Sequence, residues 1–253
     1  MSLTLLVTSY NSEQHLDRFF CWMRLVNHLF SEVIIIDDCS SDKSFSKILE
    51  EANLYPNFIT KRRAINSGRP SLPRNEGVQI ASSKRLMFLD IDDLVPVKYV
   101  EHIAHSSSQH CYSGMKSEVQ EKDYNSNYKS DLSQTRTIKK SRLKYKNLIT
   151  FSGASIPTNI AKKYNFLNEP LEDWDFWMQI AENEMKLNFI KFIDVPIYYD
   201  QGESLSPIKT KQVSRVLSKI GYLKMPIYFF ETLRLRFFER RSAHRLLKTM
   251  SES

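Results

Sequence analysis

Three short apolar runs, LTLLVTS, EVIIIDD and RLMFLDI, are complete by residue 91, and each closes on hydroxyl or carboxylate side chains. Runs this short, rich in Val, Ile and Leu, predict strands buried on both faces. Between the first two, SEQHLDRFFCWMRLVNHLF carries Leu16, Phe19, Phe20, Met23 and Leu29 at near-helical spacing, after Ser12 as an N-cap residue. Further helices are expected from about Ser41, with Phe45, Ile48 and Leu49 inward, and over PRNEGVQIAS, while NFITKRR is expected to add a strand. Strands alternating with helices imply an α/β fold built on a parallel, doubly wound sheet. Ligands of such sheets collect outside the carboxyl ends of the strands. That rim gathers Thr8, Tyr10 and Asn11, then Asp37 and Asp38, then Arg62 and Arg63, and finally Asp90, Asp92 and Asp93.

The last group poses a chemical problem. Three carboxylates within four residues repel one another unless a cation sits among them. If the strand continues, alternate side chains project together, so Asp90 and Asp92 can share one hard cation, Mg²⁺ or Mn²⁺. The other reading is a solvated turn at a strand end.

Beyond residue 105 the pattern changes. From Ser106 to Lys146 polar residues dominate without a period, which reads as a long surface excursion. Order is expected again at LITFSGASIP and at PLEDWDFWMQIAENE, where Trp174, Trp177, Met178 and Ala181 make one helical face. The 253 residues suffice for one large domain and an appendage. Cys21, Cys39 and Cys111 form no close pair, which argues against a disulfide framework and for a reducing compartment. No window approaches the roughly 20 apolar residues of a membrane span, so a cytoplasmic protein is expected.

VTSYN, VIIIDDCSSD, GRPSLPRNEG, LMFLDIDD and LEDWDFW, in that order, resemble the motifs of the inverting family 2 glycosyltransferases of bacterial surface-polysaccharide and lipo-oligosaccharide synthesis. The resemblance covers residues 1–206 and implies a GT-A fold, a mostly parallel sheet flanked by helices, with a nucleotide-binding half (1–104) and an acceptor-side half (105–206). It implies a nucleoside-diphosphate sugar, a UDP-sugar by preference, as donor and a saccharide or lipid-linked acceptor. By the same resemblance Thr8, Tyr10, Asp37 and Asp38 hold the nucleoside, and Arg69 and Arg74 lie near the pyrophosphate. Asp90 reaches the ribose or a metal water, and Asp92, with Asp90 and Asp93 beside it, ligates Mn²⁺ or Mg²⁺. Asp173 becomes the general base, Glu172 its neighbour at the helix start, and Trp174 and Trp177 the lining of an acceptor pocket. Structural roles stand beside each: Asp37 and Asp38 suit a turn with Ser40, Arg74 a helix start, Glu172 and Asp173 a first helical turn, Trp177 a core. YYDQGESLS, at 198–206, resembles the family's closing loop but lacks its histidine. The signature of processive polymer synthases is absent too, which suits transfer of one sugar per encounter.

Two other classes fit less well. Haloacid-dehalogenase phosphatases also place DxD after an apolar strand, but a third Asp followed by Leu94 and Val95 departs from their pattern. A basic nucleic-acid binder has no use for an acidic rim, so no nucleic-acid partner is expected; the sequence leaves the oligomeric state open. The net charge of +7 is concentrated in the tail, residues 207–253, which holds eleven Lys or Arg against three Glu. After Pro226, Phe230, Leu233 and Phe237 fall on one helical face and Arg234, Arg241, Arg245 and Lys248 on another, the pattern of a basic amphipathic helix that lies on an anionic membrane or docks on its own domain. A peripheral position on the inner face of the plasma membrane follows from the first option. The intact chain is then expected to cosediment with anionic vesicles and a chain ending at Gly221 is not; equal sedimentation of both would remove the anchor.

Overall fold

The computed structural model describes residues 2–106, 109–116 and 131–199. In chain order they form β1 (Leu3–Ser9), α1 (Glu13–Val26), β2 (Glu32–Asp37), α2 (Ser44–Ala52), β3 (Phe58–Arg62), α3 (Ser71–Ile80), β4 (Arg85–Asp90), β5 (Asp93–Leu94) and α4 (Val97–His105). Then follow β6 (Cys111–Lys116), β7 (Asp131–Ile138), α5 (Lys140–Leu143), β8 (Ser155–Pro157), α6 (Thr158–Ala161), α7 (Glu172–Asn183) and β9 (Phe189–Tyr199). No described helix is long and apolar enough to cross a membrane. The basic tail, and the segment resembling a closing loop beyond Tyr199, lie outside the described residues.

One sheet runs β3-β2-β1-β4-β8-β6-β9-β5, with β7 added on β9. The pairings from β3 to β4 are all parallel, as the alternation of strands and helices predicts. Beyond β4 the sheet is mixed: β8 is antiparallel to β4 and to β6, β9 runs parallel to β6, and β5 and β7 run antiparallel to β9.

The apolar runs form strands because both their faces are covered. Leu3, Leu5, Val7, Val33, Ile35, Met87 and Leu89 pack into one core with Leu16, Phe19, Phe20 and Met23 of α1. Their alternates Leu6, Ile34, Ile36, Leu86 and Phe88 pack into a second core with Phe176, Trp177 and Ile180 of α7. Each such side chain contributes about 1.5–3 kcal/mol on full burial. Ser12 stands at the N-cap position of α1, but its hydroxyl makes no cap bond and instead accepts the Tyr10 N–H at 3.2 Å.

The expected surface excursion at 106–146 is corrected at β6, β7 and α5, while residues 107–108 and 117–130 of it lie outside the described residues. Most side chains of β7 are exposed or half-buried, so its sequence shows no apolar alternation; its backbone pairing with β9 makes it a strand. In β6 the buried residues include Ser113 and Gly114, small groups that a hydrophobic count passes over.

Close approach of α3 to β1 depends on Gly77, where an added Cβ would lie 2.1 Å from Leu6 Cδ1. Gly77→Val is expected to lower stability by about 1–3 kcal/mol through overpacking, read as a denaturant midpoint shift at constant slope. An unchanged midpoint would mean that Leu6 yields without cost.

Candidate active site

Asp90 is the last residue of β4 and lies in register with Thr8 of β1. The strand stops there. Ile91 and Asp92 form a turn before β5, so the expectation that Asp90 and Asp92 project together as alternating strand residues is corrected. The two still sense each other: burial, and then the charge of Asp90, push the Asp92 carboxyl above its ordinary range. Arg18 donates to the Asp92 carbonyl oxygen at 2.5 Å and fixes the turn. Asp93 is buried, and its carboxylate accepts from Ser152 Oγ, which in turn accepts the Asp90 N–H at 3.2 Å. Among the described residues no three metal-ligating side chains gather into a preformed cage.

Arg74 lies beneath this rim rather than at its mouth, which corrects the expectation of a guanidinium offered to pyrophosphate. It is 4% exposed; Nη2 donates to Asp90 Oδ1 and Nη1 to Glu172 Oε1, both at 2.8 Å. Its guanidinium carbon stands 3.6 Å from the centre of the Phe151 ring. Burial lowers its pKa, but the charges of Asp90 and Glu172 reverse that, and the net direction is upward. Both arms of the fork are therefore occupied. Arg69 is half-buried and makes no side-chain hydrogen bond or ion pair with the described residues.

Helix α7 brings in the second pair of carboxylates. Leu171, just before it, adopts a left-handed conformation (φ 64°, ψ 35°), and Glu172, Asp173 and Asp175 fill the first turn, where the helix dipole favours negative charge. Burial raises the Glu172 pKa, Arg74 opposes, and Asp173 adds to the rise. Asp173 Oδ2 accepts a 2.7 Å hydrogen bond from Asn147 Nδ2. Asp90, Asp93, Arg74, Glu172, Asp173 and Asn147 line one cavity of about 520 Å³. Lys191, from β9, lines it as well; its ammonium donates to the Leu148 carbonyl at 3.0 Å, and burial with nearby Lys146 lowers its pKa.

Trp174 and Trp177 are corrected too. They are 3% and 0% exposed; Trp174 Nε1 donates to the Leu143 carbonyl at 2.5 Å, and Trp177 packs edge-on to Phe88 and Phe176. Both indoles are core, with no face open to a sugar. At the β2 end, Asp37 accepts from Ser40 Oγ and Ser40 N–H, and Asp38 accepts from Arg63, Ser67 N–H and Ser67 Oγ. These two carboxylates build the loops behind β2. Thr8 is half-buried at the rim, and Tyr10 is 49% exposed.

Removing Arg74 leaves Asp90 and Glu172 partly buried beside each other without a cation. Arg74→Met is expected to destabilise the fold by about 3–5 kcal/mol, and Arg74→Lys to restore only part, because an ammonium lacks the two-armed fork. Denaturant unfolding measures both; a fully stable Met variant would show that the shared ion pair is dispensable.

The glycosyl transferase family 2 model matches residues 4–167. A poly(ribitol-phosphate) beta-glucosyltransferase of Bacillus spizizenii is 32% identical over 99 residues, 38% of this chain and 15% of that one. The poly(ribitol-phosphate) beta-N-acetylglucosaminyltransferase TarS of Staphylococcus aureus is 28% identical over 118 residues, 44% of this chain and 19% of that one. The matched segments thus span less than a fifth of either relative. In three dimensions the chain is similar to TarS 1–349 in complex with UDP-GlcNAc, with a TM-score of 0.67 at 20% identity, over 87% of this chain and 65% of that one. It is also similar to a mannosyltransferase of Pyrobaculum calidifontis in complex with GDP-Man and Mn²⁺, with a TM-score of 0.62 at 15% identity, over 87% and 64%. With the family model spanning well over half of its length and its sheet superimposing on GT-A neighbours, the chain belongs to glycosyl transferase family 2.

Proposed function

We propose that this chain transfers a single sugar, with inversion, from a UDP-sugar to a hydroxyl of a surface polymer or its lipid-linked precursor. The observation that carries the reading is that Asp90, at the end of a nucleotide-side strand, and Asp173, at the start of α7, line the same cavity and are tied together through Arg74 and Glu172. A donor-side carboxylate and an acceptor-side carboxylate facing one space is what a direct displacement needs. Relatives named for glycosylating poly(ribitol-phosphate), and the UDP-GlcNAc complex of TarS, support the donor and polymer classes.

In this reading Tyr10 stacks on the base, Thr8 and Asp90 face the ribose, and Arg69 binds a phosphate oxygen. Asp173 takes the proton of the acceptor hydroxyl as that oxygen attacks the anomeric carbon from the face opposite the departing diphosphate. Glu172, neutralised by Arg74, holds the first turn of α7 in place. A divalent cation suits the donor set present: Mg²⁺ and Mn²⁺ sites of this kind use one or two carboxylates and complete their shell with phosphate and water. Asp92 is the fitting ligand, since its carboxylate is raised by burial and by Asp90 and accepts no side-chain hydrogen bond from the described residues. When bound, the cation supplies Lewis-acid stabilisation of the leaving diphosphate.

Calorimetry and turnover with UDP-sugars test the assignment together. Asp92→Ala is expected to abolish metal-dependent nucleotide binding. Asp173→Asn is expected to bind nucleotide normally while losing roughly 10²- to 10⁴-fold in turnover. Full binding by wild-type protein in excess chelator would refute the metal role, and an undiminished rate in Asp173→Asn would move the base elsewhere.

A further inference from the structure

The consecutive residues 147–152 all line the cavity. Asn147 bonds Asp173, Phe151 lies beneath the Arg74 guanidinium, and Ser152 joins Asp93 to the Asp90 backbone. Gly153, in a left-handed conformation (φ 79°), offers its carbonyl to Tyr99 Oη at 2.7 Å and anchors the end of the segment in the core. Within it Asn147 is the residue that addresses a reacting group.

We propose that Asn147 is a positioning residue that selects Asp173 Oδ1 as the oxygen that takes the acceptor proton. The inference rests on Asp173 acting as the base. Asn147 Oδ1 accepts the Ile149 N–H at 3.3 Å, so the amide is turned with its NH₂ toward Asp173, and Nδ2 donates to Oδ2 at 2.7 Å. A side-chain amide engaged at both ends cannot flip without losing a bond. Asp173 Oδ2 is thereby engaged, while Oδ1 has no hydrogen-bond partner among the described residues and keeps its lone pairs for a substrate. The bond also resists rotation of the carboxylate, and misplacement of a base by a fraction of an ångström is costly in rate. The other charged groups lining the cavity with Asp173 are Arg74, Glu172, Asp90, Asp93 and Lys191. None of the hydrogen bonds or ion pairs among the described residues joins any of them to Asp173.

Asn147→Asp is the discriminating variant. It keeps an oxygen for the Ile149 N–H, and so the local fold, but replaces the donor facing Asp173 with a second carboxylate. Two carboxylates at hydrogen-bond distance retain a proton between them, so the base is occupied over a wider range of pH. The expected result is a fall in kcat of about 10- to 100-fold, the scale seen when a residue that orients a functional ligand is lost. The acid limb of the kcat profile should move to higher pH, with nucleotide affinity and thermal midpoint unchanged. Asn147→Ala, which has neither oxygen nor donor, should lose kcat similarly without that large shift. Wild-type kcat and profile in Asn147→Asp would overturn the proposal, as would a loss of nucleotide binding and thermal stability in proportion to the loss of rate. Asp173→Asn is measured alongside: if it retains turnover, the base reading itself has failed, whereas a dead Asp173→Asn with an unaffected Asn147→Asp removes only the role of Asn147.

Discussion

The site depends on one guanidinium. Arg74 is the common partner of Asp90, at the end of β4, and Glu172, at the head of α7, two carboxylates that stand 82 residues apart in the chain. Brought together without it, they would repel each other in a partly desolvated space. The guanidinium is planar and holds its two acceptors in a fixed relation, each at 2.8 Å, so the separation of the end of β4 from the head of α7 is set by the covalent geometry of one amino acid. Phe151 beneath the plane offers the face of its ring to the cation.

What brings Arg74 there is a backbone approach. Gly77 lies three residues further along α3, on the same helical face, and leaves room for Leu6 of β1. The helix can therefore press close to the sheet, and the same closeness carries Arg74 under the rim. Fold and chemistry meet in these two residues: the glycine sets the height of the helix, and the arginine uses it.

The parallel half of the sheet was legible in the sequence because β1, β2 and β4 are buried on both faces, which writes unbroken apolar runs. The acidic ends of those strands were legible for the same reason, since polar residues interrupt a buried run only where it emerges. Other features left weaker marks. β7 is stabilised by backbone pairing and shows almost no apolar side to read, and β9 carries Pro196 in mid-run, where β6 shifts its register between Ser113 and Met115. Trp174 and Trp177 were ambiguous in principle: an indole on a helix has the same spacing whether it meets a core or a sugar, and only the packing of Phe88 and Leu143 decides. Arg74 was visible as a basic residue near the site, but its burial was not, because both of its partners come from distant parts of the chain. Asn147 and Lys191 gave no local signal, since one lies in a polar stretch and the other inside a strand, and their position in the cavity arises only from tertiary structure.

Leu171 holds a backbone conformation that costs a residue with a side chain roughly 1–2 kcal/mol, and such a conformation survives only where its surroundings over-determine it. Placed directly before Glu172 and Asp173, it ties the cost of this junction to the placement of two carboxylates that line the cavity. A lineage drifting toward greater thermal tolerance would find glycine or asparagine here readily, because either relieves the local penalty. Each would also widen the range of angles at which α7 leaves the loop, and with it the aim of two carboxylates. A leucine at this junction therefore exchanges some local stability for a narrower range of directions in which α7 can leave the loop.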